Sequence, residues 1–242
     1  MIVHVINFIP HISTVYVKVG VIVFPGSNCD RDMYHVLTDV FNLNAQYFWH
    51  EKSLPKNIDA VVLPGGFSYG DRLRAGVIAA HSPIISDVKK LAAKGIPILG
   101  VCNGFQILVE SGLLPGVLLK NDSLNFMCEW INLIVKNNTT PFTNKLELNQ
   151  KIPIPIANGE GRYFVDDKVI KKLKKKNQIV FSYENYVNGS MDLIAGVCNE
   201  DGNVVGMMPH PERAAEKEIN PNDNRPSSLI FESLIQFIGA GK

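Results

Sequence analysis

The sequence is poor in cysteine, and its cysteines show no pairing pattern. Cys29, Cys102, Cys128 and Cys198 are scattered over 242 residues without a Cys-x-x-Cys. That excludes a disulfide scaffold and argues against a zinc ribbon or a thioredoxin-like redox site. No apolar run reaches the length of about 18 residues that a membrane-spanning helix needs. No basic stretch precedes Lys18, and His4, Asn7, Pro10 and His11 interrupt the apolar start, unlike a secretory signal. Charge of one sign is missing too. With 24 basic residues against 23 acidic and a net charge of +1, nothing draws the chain toward nucleic acid. Repeats, linkers and low-complexity tracts are absent, and a reducing cytoplasm is the expected setting.

What is present is a globular composition, 46% hydrophobic and 19% charged. Val15–Phe24 is β-branched and apolar, as a strand buried on both faces should be, and runs into the turn residues Pro25-Gly26-Ser27-Asn28. A helix is predicted over 30–41, strands over 45–49 and 60–63, a helix over 84–94, a strand over 96–101 and a helix over 103–110. This alternation predicts an α/β fold: a flavodoxin-like open, mostly parallel sheet with helices on both faces. Beyond Gly116 the pattern turns strand-rich (126–135, 152–157, 179–183, 193–197, 204–208), which predicts antiparallel additions. Two helices interrupt it. One, over 165–176, has Asp166 and Asp167 at its start and lysines at its end, suiting the helix dipole. The other begins near Ser227 and carries Leu229, Ile230, Leu234 and Phe237 inward.

Three features fall at predicted strand carboxyl ends, where ligand sites collect in such sheets. The first is Gly100-Val101-Cys102-Asn103-Gly104, where flanking glycines permit a sharp strand-to-helix turn that exposes a nucleophile. A cysteine there sits at a helix N-terminus, whose dipole favours an anionic sulfur, and the Asn103 N–H would face an oxyanion. The second is Pro209-His210-Pro211-Glu212, since a cysteine nucleophile needs a base and the base an orienting acceptor. In extended backbone His210 and Glu212 face the same side. A metal reading of this pair is poor, because no further ligand stands near it in sequence. The third is Leu63-Pro64-Gly65-Gly66-Phe67, whose glycines leave amides free for an oxyanion hole. Taken alone, the first and third features are equally compatible with an ordinary tight turn, and a lone His-Pro-Glu is usually just a surface turn. Cys29, also in a strand-to-helix turn, is the rival nucleophile. It lacks the glycine frame and reads as a loop or core residue, while Cys128 and Cys198 read as inert packing. The lysine run 168–176 reads as a solvated helix face.

These residues resemble the triad-type (class I) glutamine amidotransferases. Cys102-x-Gly104-x-Gln106 and His210-Pro211-Glu212 resemble the whole class. Within it, the stretches 21–30, 64–71 with Leu73-Arg74, Gly159-Glu160-Gly161 and Asn188-Gly189-Ser190 resemble the glutaminase subunits of phosphoribosylformylglycinamidine synthases. The resemblance implies a class I amidotransferase domain over 17–242, preceded by an N-terminal extension over 1–16. It implies Cys102 as nucleophile, His210 as base and then acid, and Glu212 as the group orienting it. Gly66 and Asn103 would supply the oxyanion hole, while Gly65, Phe67 and Gln106 would hold glutamine. No metal or cofactor is expected on this chain. ATP and Mg²⁺ would belong to a large synthetase subunit that receives the ammonia, and a small bridging subunit is a further implied partner. The chain departs from that pattern at Arg72, at Asn158, where a histidine is common, and at Tyr186-Val187. Three other readings remain at this point. One is a cysteine hydrolase or peptidase of similar fold, another a glutaminase subunit for a different synthetase, and the third a silent, non-enzymatic regulatory subunit on the same scaffold.

Overall fold

The computed structural model describes residues 17–220 and 226–241. The extension over 1–16, and the first residues of the strand predicted from Val15, lie outside them. A nine-stranded sheet dominates the fold. Its first half consists of β1 (Lys18–Val23), β2 (Asn44–Trp49), β3 (Ala60–Leu63) and β4 (Ile98–Val101). They stand in the order β2-β1-β3-β4, all parallel, the order of a flavodoxin-like sheet. β3 and β4 are buried at every position, and the runs Ala60-Val61-Val62-Leu63 and Ile98-Leu99-Gly100-Val101 lack polar residues for that reason.

The second half holds β6 (Met127–Val135), β7 (Lys151–Asn158), β9 (Ile179–Tyr183), β10 (Ile194–Cys198) and β11 (Val204–Met207). β11 joins β4 in parallel, and β10, β9, β6 and β7 continue the sheet antiparallel. β7 alternates buried and half-exposed positions, as a strand with one covered face should. A separate ribbon pairs β5 (Val117–Leu119) with β8 (Arg162–Phe164), strands too short to show a period in the sequence.

The flanking helices are α1 (Asp30–His35, continued by a wider turn over Val36–Val40), α2 (Pro83–Ala92), α3 (Asn103–Glu110), α4 (Asp167–Lys175) and α5 (Ser228–Ala240). α4 starts where Asp166 accepts hydrogen bonds from the amides of Lys168 and Val169, and its lysines pair with Glu200 and Asp192. α5 differs from expectation: Phe231 and Ile238 are buried beside Ile230 and Leu234, whereas Phe237 is exposed. The helix rolls by about one residue because its strongly apolar sequence offers more than one face to the core. Among the described residues no helix is long and apolar enough to cross a membrane.

Candidate active site

The nucleophile candidate and its base arrive on neighbouring strands. β4 and β11 pair with Val101 beside Met207, and the Cys102 N–H donates to the Met207 carbonyl at 2.8 Å. Each chain therefore leaves the sheet at the same level, one into Cys102 and the other into Met208-Pro209-His210. The His210 N–H is anchored on the Pro155 carbonyl at 2.9 Å. Cys102 sits between β4 and α3 at φ 50°, ψ −107°, a costly conformation for a residue with a side chain and one found where strain serves function. Gly104 lets this turn close. A Cβ there would lie 1.9 Å from the Leu63 carbonyl oxygen, so α3 packs directly on the end of β3.

His210 Nδ1 lies 2.6 Å from Glu212 Oε1, and both side chains are shut away from solvent. The approach is made differently from the extended dipeptide predicted. His210 is extended, but Pro211–Arg213 forms a single helical turn that brings the carboxylate back onto the ring. Burial, the strongest influence on His210, disfavours its charged form. The Glu212 carboxylate and the Cys102 and Cys29 sulfurs outweigh it and hold the imidazole pKa well above the ordinary value.

Cys102 opens into a cavity of about 260 Å³ whose wall includes Gly66, Phe67, Asp71, Gln106 and Glu160. Asn103 is the first residue of α3, so its N–H has no acceptor inside the helix. Gly66, at φ 149°, presents backbone to the same cavity. Phe67 forms part of the mouth and is exposed. Gly65 lines no part of the cavity wall; it packs instead against His210, Cys29 and Cys102. Gln106 borders the cavity with its amide already engaged: Oε1 accepts from Asn103 Nδ2 at 2.8 Å, and Nε2 donates to the Glu160 carbonyl at 2.7 Å. The Asn103 side chain also accepts from the Ser68 amide at 3.1 Å. This network ties the elbow to the Gly159-Glu160-Gly161 segment, a constraint on the pocket wall that spacing does not reveal.

A scan against family models matches residues 16–238 to the CobB/CobQ-like glutamine amidotransferase domain. The chain belongs to that family. Among solved structures it is similar to the structure of PurLQS from Thermotoga maritima, with 46% identity, a TM-score of 0.83, and coverage of 92% of this chain and 99% of that one. A putative GMP synthase subunit from Thermoplasma acidophilum shares the fold at 15% identity, covering 93% of this chain and 96% of that one, with a TM-score of 0.58. A glutamine amidotransferase from Thermotoga maritima does so at 17% identity, covering 92% and 98%, with a TM-score of 0.59.

Sequence reasoning passes over three residues at this amidotransferase site. Asp71 and Glu160 stand on the cavity wall, and burial, aided by the Glu160 charge, lifts the Asp71 carboxyl to about 6. Their signal is present in the motifs 64–71 and 159–161, but an acidic residue in a turn carries no distinctive spacing. Cys29 is the third. Expected as a loop or core residue, it is buried, but it packs on the catalytic histidine candidate. Arg213 Nη2 donates to its sulfur at 3.1 Å, and the sulfur lies 3.2 Å from Asn28 Oδ1. Burial raises its thiol pKa, while His210 and Arg213 oppose that rise. Cys198 is packed as expected, with burial pushing its thiol up to about 11. Cys128 is not: it is exposed on β6, in the stretch Cys128-Glu129-Trp130 where both faces of the strand meet solvent.

Proposed function

We propose that this chain is the glutaminase subunit of a phosphoribosylformylglycinamidine synthase, releasing ammonia from glutamine for a synthetase subunit in purine biosynthesis. The observation that carries this reading is the 46% identity to the PurLQS structure across nearly the whole of both chains. Glutamine enters the cavity beside Cys102, and the Cys102 sulfur attacks its side-chain amide carbon. The oxyanion forms against the N–H groups of Gly66 and Asn103, which are fixed before substrate arrives and need no reorganisation. His210, charged and steadied by Glu212, passes its proton to the leaving nitrogen, and ammonia departs. The glutamyl thioester is then hydrolysed by a water that the neutral His210 deprotonates, giving glutamate. Phe67 holds the substrate directly, Gln106 acts by shaping the wall, and Gly65 acts behind it by packing against His210 and Cys102. No step on this chain calls for a metal or cofactor; ATP and Mg²⁺ belong to the synthetase, which activates formylglycinamide ribonucleotide. The likeness to PurLQS supports assembly with that synthetase and with a small bridging subunit, and a cytoplasmic setting suits the free thiols. The deciding experiment supplies amide-¹⁵N glutamine to the reconstituted complex. Label in formylglycinamidine ribonucleotide supports the assignment, and unlabelled product or no glutamate overturns it.

A further inference from the structure

His210 and Glu212 have a third neighbour that the reaction above does not use. One ligand-capable atom from each of Cys29, His210 and Glu212 lies within 4.8 Å of the others, and all three side chains are buried. Cys29 comes from the turn before α1, far from His210 in sequence, so spacing carries no hint of a third ligand. The three converge around Gly65: a Cβ built there would meet His210 Cε1 at 2.8 Å and the Cys29 sulfur at 3.0 Å. The His210 imidazole interacts with the sulfurs of both Cys102 and Cys29, while Glu212 Oε2, buried in the cluster, has no hydrogen-bond partner among the described residues. Buried groups in that condition are uncommon and mark places where an ion or ligand completes the set.

We propose that Cys29, His210 and Glu212 form a binding site for a borderline-soft divalent cation of the zinc class, and that its occupation arrests the glutaminase. Thiolate, imidazole and carboxylate are the donors zinc takes, at about 2.0–2.3 Å, which sets ligand atoms about 3.3–3.7 Å apart in a tetrahedron. The ligand atoms, all within 4.8 Å of one another, adjust to that spacing, and the 2.6 Å contact between His210 Nδ1 and Glu212 Oε1 gives way to admit the ion. Binding releases two protons to solvent, one from the Cys29 thiol and one from the His210 imidazolium, as the sulfur–metal and nitrogen–metal bonds form, and Arg213 already donates to that sulfur. A cation held there takes the imidazole and its carboxylate out of service to Cys102, so the enzyme stops without any change at the nucleophile itself. The inhibitory half of the proposal rests on the glutaminase reading; the binding half does not.

Cobalt(II) and zinc(II) titrations of the full chain test both halves. Wild-type protein and Cys102→Ser are each expected to bind one cobalt with a thiolate-to-metal charge-transfer band, and Cys29→Ala and Cys29→Ser to lose that band. In glutamine-dependent synthesis by the complex, with each protein measured against its own zinc-free rate, the zinc concentration for half inhibition should rise at least about tenfold in the Cys29 variants. Using both Cys29 variants, with circular dichroism to show that each is folded, separates loss of a ligand from loss of the fold. A band that persists without Cys29, absence of stoichiometric cobalt in the wild type, or equal zinc sensitivity with and without Cys29 overturns the proposal. If the complex shows no glutaminase at all, the functional reading fails, while the cobalt band still decides the site.

Discussion

His210 and Glu212 stand two residues apart in sequence and 2.6 Å apart between Nδ1 and Oε1, with neither side chain reaching water. Their pairing makes a pH-dependent contribution to stability. The folded-state imidazole pKa lies well above its ordinary value, so the native chain holds this proton more tightly than the unfolded chain does. The contribution is therefore complete below about pH 6.5, the unfolded histidine value, and is lost as pH rises through the folded one. Urea unfolding of wild type and Glu212→Gln at several pH values checks this. The stability gap is expected to be widest at about pH 6 and to narrow steadily on the alkaline side; a gap that widens with pH contradicts the pairing.

Replacing Cys102 by serine keeps the side chain's size but not the sulfur nucleophile. In the reconstituted complex, Cys102→Ser should lose glutamine-dependent synthesis by about a thousandfold or more, as expected for loss of a covalent nucleophile. Synthesis from added ammonium salts should stay near wild type, because the synthetase's own chemistry is untouched. Retained glutamine use would move the nucleophile to another residue, Cys29 first.

The strands that carry the site are legible because both faces of β3, β4 and β11 are buried, so their sequences are apolar without interruption. Cys102, His210 and Glu212 are legible because turns next to such strands demand glycine or proline, and those residues bracket them. The rest depends on contacts between distant segments. Cys29 follows β1, three places from β11 in the sheet, and nothing in Ser27-Asn28-Cys29 encodes His210 as its neighbour. Gln106 is placed at the pocket by its motif, but its partners Asn103 and Glu160 cannot be read from spacing. The wrongly turned Phe237 and the exposed Cys128 share another cause. Apolar residues on a helix or strand imply a covered face without saying which neighbours do the covering.

Asp71 titrates in the opposite sense to a salt-bridged carboxylate. Burial lifts it to about 6, so between its ordinary value near 3.8 and about 6 the native state keeps a proton the unfolded chain has lost. Native stability from this group falls as pH rises through that window. Asp71→Asn removes the penalty, and its melting temperature relative to wild type should show little gain at about pH 4 and the largest gain above about pH 6. Because Asp71 and Glu160 are the acidic groups on the cavity wall, the same variant should raise KM for glutamine, whose α-ammonium is the substrate's only cation, with a smaller change in kcat. A melting difference that is flat with pH and an unchanged KM would together remove Asp71 from the site.

Gly104 is the point where the elbow meets the sheet, and its tolerance for a side chain is the sharpest test of the packing. A Cβ there falls 1.9 Å from the Leu63 carbonyl oxygen and 2.9 Å from the Leu63 Cβ. The obstruction is backbone at the end of a fully buried strand, so no rotamer change relieves it. Either α3 lifts away from β3 or β3 shifts, and both displace Cys102 and Asn103 at the first turn of that helix. Gly104→Ala is therefore expected to cost about 3 kcal/mol or more, the upper range for overpacked cores. It should also lower glutamine-dependent kcat even in protein that remains folded, because the oxyanion donor moves with the helix. Gly112→Ala provides the contrast, since a Cβ at Gly112 meets nothing within 4 Å and its cost comes from its positive φ of 77° alone. Chemical denaturation and glutamine-dependent synthesis with the two variants distinguish the cases. Glutaminase should fall steeply in Gly104→Ala and stay near wild type in Gly112→Ala, and equal behaviour of the two would refute the close approach of α3 to β3.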